Sequence, residues 1–472
     1  MQITLATLID VVQATSHSLT VRTPQTQDTN LSETLATRIT TDSRDLRRGD
    51  VFVALRGEMF DGHRFVAEAI AAGAIVAIVD HPVAPTESGE PLPQIVVENT
   101  LTAYQAIARW WRDTLGTTTI GITGSVGKTT TKELIAAVLG HEGLVLKTQK
   151  NYNNEIGVPK TLLELTPDHK YAVVEMAMRG EGQIAELARI ARPDVAVIVN
   201  VGTAHIGLLG SREAIARAKC ELLAELPLTS TAVLNADNDL LMATAATVWS
   251  GAQVTYGFKA GDLRGQCQGT QMTVCQDGSE RTLPLPLPGE HNASNYLAAI
   301  AVASVLGLDT AWLDQGFNLE LPDGRAKRIA LAEDVVLLDE TYNAGLESML
   351  AAIDLLAQTP GSRRIAVLGT MKELGDRTQE FHQQVGQAVV DRGFDAVFIV
   401  AEPDAAAALT AAIAPTPIPC VVETEETDAA RSRVAEKLIA MLQPGDRILL
   451  KASHSVALDR IVTTVTNAWG RA

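Results

Sequence analysis

The chain has 472 residues, 46% of them hydrophobic and 20% charged, which excludes a disordered protein. At roughly 150 residues per domain that length suits three cores rather than one. Lys+Arg 39 against Asp+Glu 56 leaves a formal charge of −17, which excludes a coat for nucleic acid or an anionic membrane, since both need a broad basic surface.

The start carries no basic residue before Arg22, so it lacks the positive region of a secretory signal. The longest uncharged run, 405–422, is broken by Pro415, Pro417 and Pro419 and does not read as a membrane span. Cys220, Cys267, Cys275 and Cys420 form no CxxC pair, and a reducing cytoplasm is the expected compartment. In chain order, short β-branched runs fall at 51–55, 75–79, 120–123, 172–176, 195–200, 365–369, 397–400 and 448–451, separated by amphipathic stretches such as 129–139. That alternation predicts an α/β fold with mostly parallel sheets. Joints fall where the run ending near 98 gives way to a helix with Trp110 and Trp111, and at the LPDGR of 321–325. The expected domains are therefore 1–98, 99–320 and 321–472.

The most informative segment is TIGITGSVGKTTTKEL at 119–134: strand, glycine-bearing loop, helix. Gly124 and Gly127 let backbone N–H groups turn toward phosphate oxygens, where the helix N-terminus adds partial positive charge. Lys128 would reach the β and γ phosphates, and Thr129 offers a hydroxyl to Mg²⁺. The expected ATP site runs through Thr123, Gly124, Ser125, Val126, Gly127, Lys128, Thr129 and Thr130, although Ile122 stands where the full phosphate-loop pattern has glycine. Glu175 ends the strand YAVVEM and His205 follows VAVIVN in NVGTAH, both where parallel sheets expose ligand groups. Lys219, judged by helical spacing alone, is a solvent-facing lysine.

With TDSRDLRRGDVFVALRGEMFDGHRF at 41–65, NYNNEIGVPKTLLEL, ARPDVAVIVNVGTAHIGLLGSREAIARAKCEL, LPGEHNASNYLAAIAVA, DETYNAGLESM and VLGTMKELG in this order, nearly the whole chain resembles the Mur ligase superfamily. The resemblance implies a UDP-sugar-peptide-binding N-terminal domain, a central ATPase, and a Rossmann-like C-terminal domain that closes over the site and binds the incoming dipeptide. It implies an ATP-dependent C–N ligase of peptidoglycan precursor synthesis that adds D-alanyl-D-alanine to UDP-N-acetylmuramoyl-tripeptide through an acyl phosphate, releasing ADP and phosphate. A monomer is expected. Lys128, Glu175, His205 and Lys219 would be catalytic, with Mg²⁺ held by Thr129, Glu175 and His205, and by Lys219 if carbamylated. Asn292, Asn295, Arg325, Glu340 and Tyr342 would contact ATP, and Ser43, Arg44, Asn153, Asn154, Lys451 and His454 the substrates. For Arg44 the structural alternative is an ion pair with Asp42 or Asp45; for Asn292 and Asn295 it is capping a helix.

Three positions depart from the family pattern: Asp339-Glu340 replaces Asp-Asp, Gly345-Leu346 replaces Asn-Pro, and His454 replaces an arginine. The last exchanges a fixed cation for a titratable one. The rivals are another ligase of the superfamily, folylpolyglutamate synthase, or a regulatory phosphate-loop ATPase, which would need neither the DSR-bearing segment nor a third domain.

Overall fold

A computed structural model describes residues 1–15, 19–22, 33–58, 60–85 and 91–470. Met59, within the 41–65 motif, lies outside the described residues. The described residues form three mostly parallel sheets and a two-stranded antiparallel pair, Ile3–Thr4 with Leu35–Ala36. The first orders its strands Thr20–Arg22, Gln94–Val96, Val76–Val79, Asp50–Val53 and Arg38–Thr40, parallel except for the first pair. Its core, with Leu8, Val51, Ile78 and Ile95, is covered by Tyr104 and Ile107 of the helix Thr100–Leu115. The same helix sends Ala108 and Trp111 into the core of the next domain, and Trp111 Nε1 donates to Leu165 O at 2.9 Å. The joint near 98 is thus followed by a helix that two cores share.

The central sheet has nine strands. Thr118–Thr123 lies in its middle, with His169–Glu175 and Leu144–Lys147 on one side and Val195–Ile198, Thr231–Asn235 and Ala252–Gly257 on the other. All six run parallel. Chain order reverses at Thr118–Thr123, and such a reversal opens a crevice at the carboxyl ends of the strands. Beyond Ala252–Gly257 the sheet continues into Leu263–Gln268, paired parallel to it, and then into Gln271–Gln276 and Ser279–Pro284, which pair antiparallel as a meander. The sequence reading placed no strands there.

The third sheet orders Lys327–Ala330, Val336–Glu340, Asp446–Lys451, Arg363–Gly369, Ala396–Val400 and Cys420–Glu423, parallel after the first pair. One apolar cluster runs without a break from Val201 and Ile206 of the central domain to Leu346, Met349 and Leu374 of the third, so the two domains are packed together. The Gly345-Leu346 departure leaves the local helix intact. Gly345 is extended (φ −147°), Leu346 begins the helix Leu346–Gln358, and the Ser348 hydroxyl bonds both Gly345 N–H and Gly345 O. Among the described residues no helix is long and apolar enough to cross a membrane.

Candidate active site

The loop 124–127 joins the central strand to the helix Lys128–Gly140, and Gly127 takes φ +83°, a left-handed conformation that favours glycine. There is no room there for a side chain either, because a Cβ would lie 2.7 Å from Asn295 Oδ1. Lys128 Nζ curls back onto Gly124 O at 2.7 Å and Ser125 O at 3.3 Å. Burial holds its pKa below the usual lysine range, with Glu175 pulling the other way. The ammonium is therefore ready to exchange two carbonyls for a phosphate.

Glu175 ends the strand on one side of the loop strand and His205 lies in the loop that follows the strand on the other, so the chain reversal brings residues 30 apart in sequence to one cavity. Glu175 is buried; its carboxylate accepts from Thr129 Oγ1 at 2.8 Å and from Asn153 Nδ2 at 2.8 Å. Thr129 and Glu175 offer hard oxygen donors at the mouth of the phosphate loop, a donor set that suits Mg²⁺. His205 is left-handed at φ +66°, and its Nδ1 lies 2.5 Å from Glu373 Oε2 of the third domain. Desolvation, aided by Lys128, lowers the His205 pKa against the opposing pull of Glu373.

Lys219 corrects the sequence reading. It is 2% exposed in the helix Arg212–Ala224. Burial, and then the Lys128 charge, push its pKa well below the ordinary value. Helical spacing misled because the face that looks polar is covered by the parallel sheet and the neighbouring cation.

A cavity of about 720 Å³ gathers most of the expected residues: Ser125 to Thr130 of the loop, Asn153, Asn154, Glu175, His205, Asn292, Asn295, Arg325, Glu340, Tyr342 and Lys451. Its far wall belongs to the third domain. The Arg325 guanidinium stacks 3.9 Å above the Tyr342 ring, and Glu340 Oε1 accepts Ala326 N–H at 3.1 Å. Glu340 and Lys451 are register partners on adjacent strands, with Lys451 Nζ 3.6 Å from Glu340 Oε2 and donating to Asn343 O at 3.0 Å. Burial lowers the Lys451 pKa, while Glu340 raises it. Asn295 Oδ1 accepts from Thr131 Oγ1 at 3.1 Å, whereas Asn292 Nδ2 donates back to Pro288 O at 2.8 Å, close to the capping alternative.

Six expected residues stand outside this cavity's lining: Thr123, Gly124, Lys219, Ser43, Arg44 and His454. Thr123 is buried beneath the loop, its hydroxyl unpartnered. Ser43 lies in the short turn Ser43–Asp45, where Arg44 is 87% exposed and forks onto Asp42 at 2.8 and 2.7 Å, the ion pair considered as its alternative. His454 packs its ring 5.4 Å from that of Tyr342, on the outer side. Sequence reasoning missed Asn200, whose Oδ1 accepts Ser125 N–H and Val126 N–H at 3.1 and 3.0 Å. It also missed Glu347 and Glu373, which grip the loop after Val195–Ile198, and His291 in the cavity wall. The NVGTAH segment held a signal, since a glycine within an otherwise specific loop marks a close approach.

A separate cluster of His63, Asp80 and His81 is internally satisfied: His63 Nε2 accepts Asp80 N–H at 3.1 Å, and Arg56 lies 3.5 Å from the Asp80 carboxylate.

Comparison with known proteins places three family descriptions along the chain: "Mur ligase family, catalytic domain" at residues 36–112, "Mur ligase middle domain" at 122–303, and "Mur ligase, glutamate ligase domain" at 324–454. The UDP-N-acetylmuramoyl-tripeptide–D-alanyl-D-alanine ligase of Synechocystis sp. is 57% identical over 436 residues, 92% of this chain and 93% of that protein. A crystal structure of MurF from Acinetobacter baumannii superposes with a TM-score of 0.86 at 30% identity, covering 99% of each chain. MurF of Thermotoga maritima, solved in complex with ADP, has a TM-score of 0.81 at 30% identity, covering 91% of this chain and 97% of that one.

Proposed function

From the premise that this chain belongs to the Mur ligase family, we infer that it is an ATP-dependent amide ligase joining D-alanyl-D-alanine to UDP-N-acetylmuramoyl-tripeptide. A carboxylate at neutral pH is a poor electrophile with a poor leaving group. Transfer of the γ-phosphoryl group of ATP to the tripeptide's terminal carboxylate gives an acyl phosphate and ADP. The dipeptide's amine then attacks the acyl carbon, the C–N bond forms, the C–O bond to phosphate breaks, and the amine's proton leaves to solvent.

The observation that carries this reading is the meeting of Lys128, Thr129 and Glu175 at one end of a cavity whose other wall holds Arg325, Glu340 and Lys451. In it Lys128 stabilises charge on the transferring phosphoryl group. Thr129, Glu175 and His205 would hold Mg²⁺, whose charge would screen the phosphate oxygens. Lys219 supports a further assignment: burial disfavours its ammonium and so favours the free amine, the form that reacts with CO₂, and a carbamate there would supply an anionic ligand near Lys128. With ¹³CO₂, a carbamate resonance lost in Lys219→Ala would bear this out; no resonance in the wild type would exclude it. Asn292 and Asn295 flank the nucleotide, Arg325 and Tyr342 close over it with Glu340 alongside, and Asn153 and Asn154 face the sugar-peptide. Ser43 and Arg44 are assigned to the UDP moiety, for which Arg44 would give up its Asp42 pair. Lys451 receives the dipeptide carboxylate, with His454 at the outer rim.

The reading extends to a monomer in the cytoplasm; the four free cysteines support a reducing compartment, and light scattering tests the monomer. The decisive experiment follows ¹⁸O placed in the tripeptide's carboxylate. One labelled oxygen should appear in the released phosphate, only when dipeptide and ATP are both present; unlabelled phosphate would overturn the mechanism.

A further inference from the structure

Loop 200–207 has contacts on both sides of the cleft. Toward the phosphate loop, Asn200 holds Ser125 N–H and Val126 N–H, and Gly202 N–H donates to Ser125 Oγ at 2.9 Å. Toward the third domain, Glu347 accepts Thr203 N–H at 2.7 Å and Thr203 Oγ1 at 3.0 Å, one oxygen for each. Glu373 pairs with His205 Nδ1 at 2.5 Å, and its backbone carbonyl accepts Gly207 N–H at 3.1 Å.

The fit leaves no slack. A Cβ on Gly202 would lie 2.7 Å from Glu347 Oε1, so the glycine makes room for the carboxylate. His205 and Glu373 are both left-handed, at φ +66° and +62°, a conformation that non-glycine residues keep only where surrounding contacts fix it. The two strained residues meet each other across the domain junction. With Nδ1 committed to Glu373, Nε2 is the ring atom of His205 left to face a ligand.

We propose that Glu347 and Glu373 are positioning residues: by gripping loop 200–207 when the third domain docks, they set the phosphate loop and the His205 ring for phosphoryl transfer. The inference rests on the ligase reading above. Both carboxylates act through the loop: Thr203 takes up both oxygens of Glu347, and His205 takes up Oε2 of Glu373, whose Oε1 lies 3.9 Å from Arg179 Nε.

The test uses the full-length protein with Glu347→Ala, Glu373→Ala, the conservative Glu373→Gln, and Gly202→Ala, which displaces Glu347 without altering any polar group. Two measurements are made: steady-state kinetics with ATP, tripeptide and dipeptide, and amide hydrogen exchange of the ligand-free protein. Both carboxylate-to-alanine variants should lose roughly 10- to 100-fold in kcat with KM for ATP little changed, and amides of 201–209 should exchange faster. Glu373→Gln, whose amide oxygen still accepts from His205 Nδ1, should keep most of the rate, and Gly202→Ala should repeat the Glu347→Ala pattern with a native melting temperature. Native kcat in both alanine variants, or lost kcat with unchanged exchange over 201–209, overturns the proposal. A wild type that makes no amide product defeats the ligase reading instead, and the exchange data still decide whether the two carboxylates order the loop.

Discussion

At the scale of single residues, the motif GSVGKT made Lys128 and Thr129 legible, because a turning backbone, an ammonium and a hydroxyl in that order have few other uses. Lys128→Ala should cut ADP release by roughly 10²–10³-fold or more, with circular dichroism and melting temperature close to native, because the ammonium bonds only loop carbonyls. Lys219 and Glu373 could not be read this way: one looks like any helix lysine and the other like any loop acid, and only the tertiary structure separates them, by burying Lys219 and by setting Glu373 against His205. His291 offers a pH test. Burial, reinforced by Lys451 and opposed by Asp354, pushes its pKa down to about 4 from 6.5. The unfolded chain takes up that proton first, so the stability His291 contributes is complete above pH 6.5 and is lost as pH falls toward 4. Melting temperatures measured from pH 7 to 4.5 should therefore fall less steeply in His291→Gln than in the wild type.

At the scale of elements, the parallel strands were readable from β-branched runs because both faces of such strands are buried. The meander of Leu263–Gln268, Gln271–Gln276 and Ser279–Pro284 was missed because its strands are half-exposed and polar. Its signal was Asp277-Gly278, both with positive φ (52° and 76°), the pair that two-residue hairpin turns favour. The helix Thr100–Leu115 has a different lesson. A division at 98 follows the chemistry of the joint, yet Tyr104 and Ile107 close the first core from beyond it. A fragment of residues 1–98 should melt without a cooperative transition, whereas one of residues 1–116 should show one; calorimetry distinguishes them. Trp111→Ala, one to two turns further along the same helix and packed in the central core, should cost about 3–5 kcal/mol in the central domain, read as a lowered calorimetric transition.

At the scale of the molecule, the cavity exists only because the third domain packs on the second, and sequence motifs name the residues of each wall without giving their distance. Gly207 and Gly375 touch at that seam: a Cβ on Gly207 would lie 2.5 Å from Gly375 N. Backbone cannot rotate aside as a side chain does, so Gly207→Ala should part the domains. Small-angle scattering should show a larger radius of gyration, and kcat should fall about 10²-fold, as expected for a misplacement of about 1 Å. The free margin of the nine-stranded sheet is guarded in another manner. Its outermost strand, Ser279–Pro284, carries Glu280 and Arg281 and ends in a residue with no N–H to give, while Arg281 is tied to Asp314 and Thr310. An open margin is a template on which a second molecule can stack strand to strand. Charge and proline at this border discourage such growth, so strand-to-strand stacking of one molecule on the next is disfavoured at this margin.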